Sequence, residues 1–278
     1  MSFTFINTIG DLDCLNKELL DKPFLGIDTE FRRTTKDNMK LALMQINDEE
    51  EIYLIDPLSI GSPEDHCTFL YSKKVLKIFH SLSEDIEAIY SWTGKMVKNL
   101  YDTQLANAFL NGDYTIGYSG LVSNLLDIQI DKSETRSNWI RRPLTDAQLN
   151  YAASDVEFLI EIYRRQIESL QNEDKLKWLI EEIEFNQERF LHGRADLENL
   201  SSGLTKSVER IFLSRLNSCI EEIASSNSIN QTLLFSKRNQ KLFFYLTMSK
   251  GLDYSLSTLP SWRSNLIETV MKKLLQDI

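Results

Sequence analysis

The octapeptide Phe24-Leu25-Gly26-Ile27-Asp28-Thr29-Glu30-Phe31 constrains the fold more than any other stretch, because an apolar run ends there on two carboxylates one residue apart. Its composition predicts a strand. Side chains alternate along a strand, so Asp28 and Glu30 share one face where the hydrophobic segment emerges. Neighbouring carboxylates repel, and the pair calls either for solvent or for a cation. Acids often end strands, so the choice turns on whether later segments bring further acids to the same place.

At 278 residues with 42% hydrophobic content, the chain can bury a full core and is expected to form one large and one small domain. No stretch has the length and apolarity of a membrane span, and Met1-Ser2-Phe3-Thr4-Phe5 lacks the basic start and apolar core of a signal peptide. The expected location is the cytoplasm. Cys14, Cys67 and Cys219 are far apart and lack metal-ligand spacing, so they read as reduced thiols. His66, His80 and His192 likewise form no ligand set. A net charge of -10 argues against a nucleic-acid partner until its distribution is considered: residues 201–278 hold 10 Lys+Arg against 6 Asp+Glu. A basic tail on an acidic body is compatible with phosphate binding, which depends on local charge.

In chain order, Phe3-Thr4-Phe5-Ile6 reads as a short strand and Leu12 to Leu20 as a helix. After the acidic strand, Leu41 to Ile46 and Ile52 to Ile55 form a meander turning at Asn47-Asp48-Glu49-Glu50-Glu51. Helices are expected from near Pro63, with one more strand at Val75 to Phe79, giving a mixed sheet covered by helices. In His80-Ser81-Leu82-Ser83-Glu84-Asp85, Ser81 and Glu84 have the spacing of a capping box. Asp85 then falls in a first helical turn beyond a strand end, where ligand sites of α/β sheets gather and where an acid is also stabilising without a ligand. Pro143-Leu144-Thr145-Asp146-Ala147-Gln148 predicts a second capping box, opening a helix that continues through Arg165. Tyr151 and Asp155 are four residues apart on it and share a face. Ala152, Ala153 and Ser154 leave room for a close neighbour.

Asp28, Glu30, Asp85 and Asp155 with Tyr151 resemble the DEDD superfamily of 3'-5' exonucleases in its tyrosine-containing branch. The run from Asp131-Lys132-Ser133-Glu134-Thr135-Arg136-Ser137-Asn138-Trp139-Ile140-Arg141-Arg142-Pro143-Leu144 into Tyr151-Ala152-Ala153-Ser154-Asp155-Val156 is similar to the ribonuclease D family over about residues 1–192. The resemblance implies a ribonuclease-H-like α/β fold and two divalent cations, Mg²⁺ or Mn²⁺. Asp28 is expected to bridge both, Glu30 and Asp155 to hold the ion that activates water, and Asp85 to act on the second. Tyr151 is expected to orient the water, since a phenol titrating near ~10 is a poor base at neutral pH. The products would be nucleoside 5'-monophosphates.

Asp196 to Gly203 reads as a linker, and Leu204 to Ala224, Gln240 to Met248 and Trp262 to Leu275 as helices. This region resembles, through Ile229 to Arg238, the small all-α helicase-and-RNase-D C-terminal (HRDC) domain. One copy is expected to fit the remaining length, without the second helical domain that ribonuclease D carries. The expected division is an exonuclease domain at 1–192 and an HRDC-like domain at 204–278. The expected function is a monomeric 3'-5' exoribonuclease that trims tRNA precursors and other structured RNAs, with no membrane partner. Lys206, Arg210, Arg215, Lys237, Arg238 and Lys241 are expected to grip RNA. The alternatives are a 3'-5' DNA exonuclease, since acids that meet phosphates do not distinguish sugars, and a noncatalytic nucleic-acid-binding protein on the same fold.

Overall fold

A computed structural model of the chain describes residues 2–35, 38–63, 65–130, 137–193 and 201–277. The elements run β1 (Thr4–Ile6), α1 (Ile9–Leu19), β2 (Phe24–Thr35), β3 (Asn38–Asn47), β4 (Ile52–Ile55), α2 (Pro57–Ile60), β5 (Leu76–Phe79), α3 (Ser83–Thr93) and β6 (Leu100–Asp102). There follow α4 (Thr103–Phe109), α5 (Tyr118–Leu126), α6 (Asp146–Glu157), α7 (Leu159–Asn172) and α8 (Leu176–His192). The last five helices are α9 (Lys206–Ser226), α10 (Gln231–Phe235), α11 (Lys237–Lys250), α12 (Leu252–Ser257) and α13 (Ser261–Leu275). Among the described residues no helix is long and apolar enough to cross a membrane. Asp131 to Arg136 and the greater part of the expected linker, 196–200, lie outside the described residues.

The six strands form one sheet in the order β1-β4-β3-β2-β5-β6. The meander β2-β3-β4 is antiparallel, and β1, β5 and β6 join parallel to their neighbours, so this is the expected ribonuclease-H-like mixed sheet flanked by helices. The acidic turn caps itself: Asn47 Oδ1 accepts from the Glu49 amide, and Asp48 Oδ1 from those of Glu50 and Glu51. The helix expected near Pro63 does not form there. Asp56 accepts from the Leu58 amide and starts α2 early, Gly61 at φ +75° ends it, and the next turn is a 3-10 helix at Thr68–Tyr71.

The register between β2 and β3 shifts after Glu30: Glu30 opposes Leu43 and Phe31 opposes Leu41, leaving Ala42 as a bulge. The carbonyl so released accepts from Arg142 Nη2 at 2.7 Å. Arg142 also forks onto Asp56 at 2.7 and 2.8 Å and donates to the Trp139 and Arg141 carbonyls, so every guanidinium donor has a partner. This ties the segment before α6 to the bulge and to the start of α2. Trp139, placed by that tie, is buried with its ring 6.0 Å from that of Tyr151.

The chain divides into two compact units, one of residues 1–104 and 115–168, the other of residues 105–114 and 169–278. This differs from the expected division at 192 and 204, because α8 belongs to the helical core. Trp262 of α13 stacks on Trp178 of α8 at 5.7 Å and meets Phe109 edge-on at 5.1 Å. Buried Glu182 accepts from Trp262 Nε1 and Arg263, each at 2.9 Å. The Asn230 amide donates to the Ala108 carbonyl at 2.9 Å. The helical region is consistent with the expected HRDC-like fold, with α10 and α12 as short helices additional to the expected ones.

Arg142→Ala removes every bond at the bulge and leaves buried Asp56 without its counter-charge. It is expected to destabilise the protein by about 3 kcal/mol in urea unfolding followed by tryptophan fluorescence, and Arg142→Lys, which cannot fork, by most of that amount. A loss below about 0.5 kcal/mol for Arg142→Ala, the level of an ordinary surface change, would show that the tie is dispensable.

Candidate active site

β2 pairs with β5 only through Phe24, Leu25 and Gly26, and from there to Thr35 it is paired on its β3 edge alone. Asp28 and Glu30 therefore stand just past the end of β5, with one side of their strand open. Gly26, two residues earlier on the same face, is where α6 and α7 meet the sheet. A Cβ there would lie 3.1 Å from Leu159 Cβ and 3.3 Å from the Val156 carbonyl oxygen, tighter than ordinary contact, so a larger residue would have to push these neighbours back.

The helix expected to continue through Arg165 is broken at Phe158, and side chains from far along the chain account for the break. Asn47, opposite Gly26 in the register, donates to the carbonyls of Val156 and Glu157 at 3.1 and 3.0 Å. The Tyr118 hydroxyl accepts from the Phe158 amide at 2.9 Å and donates to the Ser154 carbonyl at 3.2 Å. The last turn of α6 is thus held from both sides, and Asp155 belongs to that turn. At its other end α6 carries the expected capping box between Thr145 and Gln148.

The result is that Asp28, Glu30 and Asp155 each place a carboxylate oxygen within 4.8 Å of the other two. The Tyr151 hydroxyl donates to Asp155, as their shared face predicts. Asp85 is buried and stands apart from this trio, its carboxylate accepting from the Thr29 hydroxyl at 2.5 Å. The Ser81–Glu84 capping box does not form. Ser81 has φ +62°, and buried Asp102 at the end of β6 accepts from the amides of Ser81 and Leu82 at 3.1 and 3.0 Å. An ionised carboxylate accepts several such bonds at once, and the parallel pairing of Phe79 with Asp102 brings it to the start of α3. Glu84 and Glu87 instead take Arg33, most closely through Glu87 at 2.7 and 2.8 Å.

Burial and mutual repulsion act together on the acids. Asp28 is pushed well above the usual carboxylate range by burial and then by the charges of Asp85, Asp155 and Glu30. Burial, with Asp155 and Asp85, raises Glu30 to about 9. Burial raises Asp155 to about 7 against the opposing bond from Tyr151, and Asp85 to about 7 against that from Thr29. Among the described residues, the charges named as acting on Asp28 and Glu30 are all negative. The donors of the four acids are all oxygen, the set that hard divalent cations such as Mg²⁺ and Mn²⁺ prefer, so the residues present fit a metal site.

A family model described as a 3'-5' exonuclease matches residues 3–172. The chain belongs to the 3'-5' exonuclease family. Within this exonuclease family, ribonuclease D of Pseudomonas paraeruginosa is 39% identical over 166 residues, which is 60% of this chain and 44% of that protein. Ribonuclease D of a Shewanella strain is 36% identical over 192 residues, 69% of this chain and 48% of its own length. The chain thus spans less than half the length of these curated relatives. Among solved structures, Escherichia coli RNase D, an exoribonuclease involved in structured RNA processing, matches with a TM-score of 0.68 at 26% identity over 99% of this chain and 74% of that one. Brucella melitensis NrnC with bound Mg²⁺ shares the fold at 24% identity and a TM-score of 0.59, over 72% of this chain and 99% of its own.

Four residues that organise this candidate site were not singled out from the sequence: Asn47, Asp102, Tyr118 and Gly26. Only Gly26 carried a local signal, a glycine inside a strand two residues before the acids.

The raised acids make the pH response of the cation-free protein predictable. A carboxyl that holds its proton more tightly when folded adds stability that is complete below its unfolded value, 3.8 or 4.5 here, and lost as pH rises through 7 for Asp85 and Asp155 and 9 for Glu30. The melting temperature in EDTA is expected to fall by several degrees from about pH 5 to about pH 9, and less steeply in Asp28→Asn. A melting temperature that stays level or climbs across that window in EDTA would contradict the repulsion described.

Proposed function

We propose that this chain is a ribonuclease D-like 3'-5' exoribonuclease that trims the 3' ends of structured RNAs, tRNA precursors among them, and releases nucleoside 5'-monophosphates. The observation that carries this reading is the convergence of Asp28, Glu30 and Asp155 to within ligand distance, with Tyr151 bonded to Asp155. Asp28, Glu30 and Asp155 would hold divalent cations, Mg²⁺ or Mn²⁺, and Asp85 would serve a second ion. When bound, two such cations supply the positive charge that offsets the acids, activate water and stabilise the leaving 3'-oxygen.

The protein's own groups then have separate tasks. Asp28 and Glu30 sit on a sheet and keep their separation, and Asp155 is fixed by the captured turn of α6. Tyr151 stands over Asp155 as a hydrogen-bonding group able to orient a water at the terminal phosphate. Trp139 packs beside the Tyr151 ring and limits its freedom. All of these groups lie in the first compact unit.

RNA upstream of the cleaved end would be held by the helical unit. Arg215 is paired with Asp277 at 2.8 Å, and Lys241 lies 3.9 Å from Glu209, so these two are partly neutralised. Lys206, Arg210, Lys237 and Arg238 are exposed, and these four are the residues we assign to phosphate contact. The same reading places the protein in the cytoplasm as a monomer.

Asp28→Asn is expected to abolish Mg²⁺- or Mn²⁺-dependent 3'-5' degradation of an RNA oligomer while the melting curve in EDTA stays cooperative. Tyr151→Phe, which deletes one hydrogen bond and no ligand, is expected to lower kcat by about 10² to 10⁴. Retained metal-dependent hydrolysis in well-folded Asp28→Asn would remove Asp28 from the site, and faster degradation of matched DNA than RNA would overturn the ribonuclease reading. Replacing Lys237 and Arg238 together by Ala is expected to flatten the slope of log K against log salt on single-stranded RNA, by about 0.7 for each phosphate no longer neutralised. An unchanged slope would remove the two from the RNA path.

A further inference from the structure

Gln45 stands on β3 directly opposite Asp28 in the antiparallel pairing with β2. Directly opposed residues send their side chains to the same face of a sheet, with Cβ atoms about 5 Å apart. That face is the one α6 and α7 cover: Asn47, two residues along β3, bonds the end of α6, and Gly26, two residues before Asp28, meets Leu159. Gln45 is completely buried there, and neither its Nε2 nor its Oε1 has a hydrogen-bond partner among the described residues. Its neighbours Leu43, Met44 and Ile46 are all buried and apolar. A leucine or methionine would fill such a position without an unpaired polar atom. A buried primary amide with no partner is unfavourable, and its presence in a folded protein calls for an explanation.

The supports of the other acids suggest what that explanation is. Asp155 receives the Tyr151 hydroxyl and Asp85 the Thr29 hydroxyl, whereas the hydrogen-bond partner of Asp28 among the described residues is the Thr29 backbone amide. Among the described residues Asp28 and Glu30 are thus the two acids without a side-chain donor, and the residue facing Asp28 across the ladder carries an unused one. Carboxylates that ligate metals are themselves held by hydrogen bonds from groups behind them.

We propose that Gln45 is a positioning residue for Asp28: its Nε2 donates to the Asp28 carboxylate when a divalent cation is bound and fixes the orientation in which that carboxylate meets the ion. The proposal rests on the reading of Asp28 as a cation ligand. It assigns Gln45 no contact with RNA and no part in proton transfer.

The test uses full-length protein freed of metal with EDTA and dialysed, then titrated with Mn²⁺ alone by calorimetry, alongside melting curves in EDTA. Gln45→Met keeps an unbranched side chain of similar length, and Gln45→Leu provides a second apolar form. Both are expected to melt in EDTA at or above the wild-type temperature, because the unpaired amide is gone, and to bind Mn²⁺ at least about tenfold more weakly. A merely structural glutamine would behave in the opposite way, with a lowered melting temperature and Mn²⁺ affinity unmoved. Mn²⁺ affinity within about twofold of wild type in either variant would overturn the proposal, as would a large fall in melting temperature in EDTA for both. Wild-type protein without measurable Mn²⁺ binding would instead bring down the reading of Asp28 as a ligand, and this proposal with it.

Discussion

Repulsion among the carboxylates of β2, α3 and α6 is the constraint on which the first compact unit depends. Unlinked acids separate into solvent, yet here three of them approach within 4.8 Å and a fourth is buried close enough to raise the others. The fold meets this cost with rigid attachments on every side. The strand that carries Asp28 and Glu30 is paired along β3, the turn that carries Asp155 is held by Asn47 and Tyr118, and the start of the helix that carries Asp85 is held by Asp102. Each attachment reaches backbone groups; the Asn47 and Tyr118 contacts are uncharged, whereas Asp102 brings a further carboxylate that raises Asp85. Such an arrangement is preorganised for cations and strained without them.

The open side of β2 has an equally simple origin. The pairing with β5 ends at Gly26, so the edge of β2 beyond it has no strand partner there, and α3 meets β2 instead through Thr29 and Arg33. The bulge at Ala42 lies one step beyond Glu30, and Arg142 converts its free carbonyl into an anchor for the segment leading to α6. Through Trp139, whose ring lies 6.0 Å from that of Tyr151, the same anchor bears on the position of that side chain.

The parts of this architecture that were legible in the sequence are those with a short period. The two-residue spacing of Asp28 and Glu30, the four-residue spacing of Tyr151 and Asp155, and the Thr145–Gln148 capping box all express local geometry, and the structure shows the same relations. The failures involve partners distant in the chain. Ser81 lost the start of α3 to Asp102, the helix beyond Asp155 was interrupted by Asn47 and Tyr118, and α8 joined the helical unit because Trp178 and Glu182 face α13. In each case a remote side chain satisfied a backbone group, or a buried contact formed, that local propensity does not encode. Gln45 is the extreme example: in sequence it is one polar residue inside a buried strand, and its significance lies wholly in what it faces.

The central claim is that Asp28, Glu30 and Asp155 form a divalent-cation site, and a crystal grown or soaked with Mn²⁺ tests it most directly. Anomalous scattering from manganese is expected among the oxygens of those three carboxylates, at ligand distances of about 2.0–2.3 Å, and is expected to vanish in Asp28→Asn. Ordered side chains with no anomalous peak between them, or a peak bound elsewhere on the chain, would contradict the account.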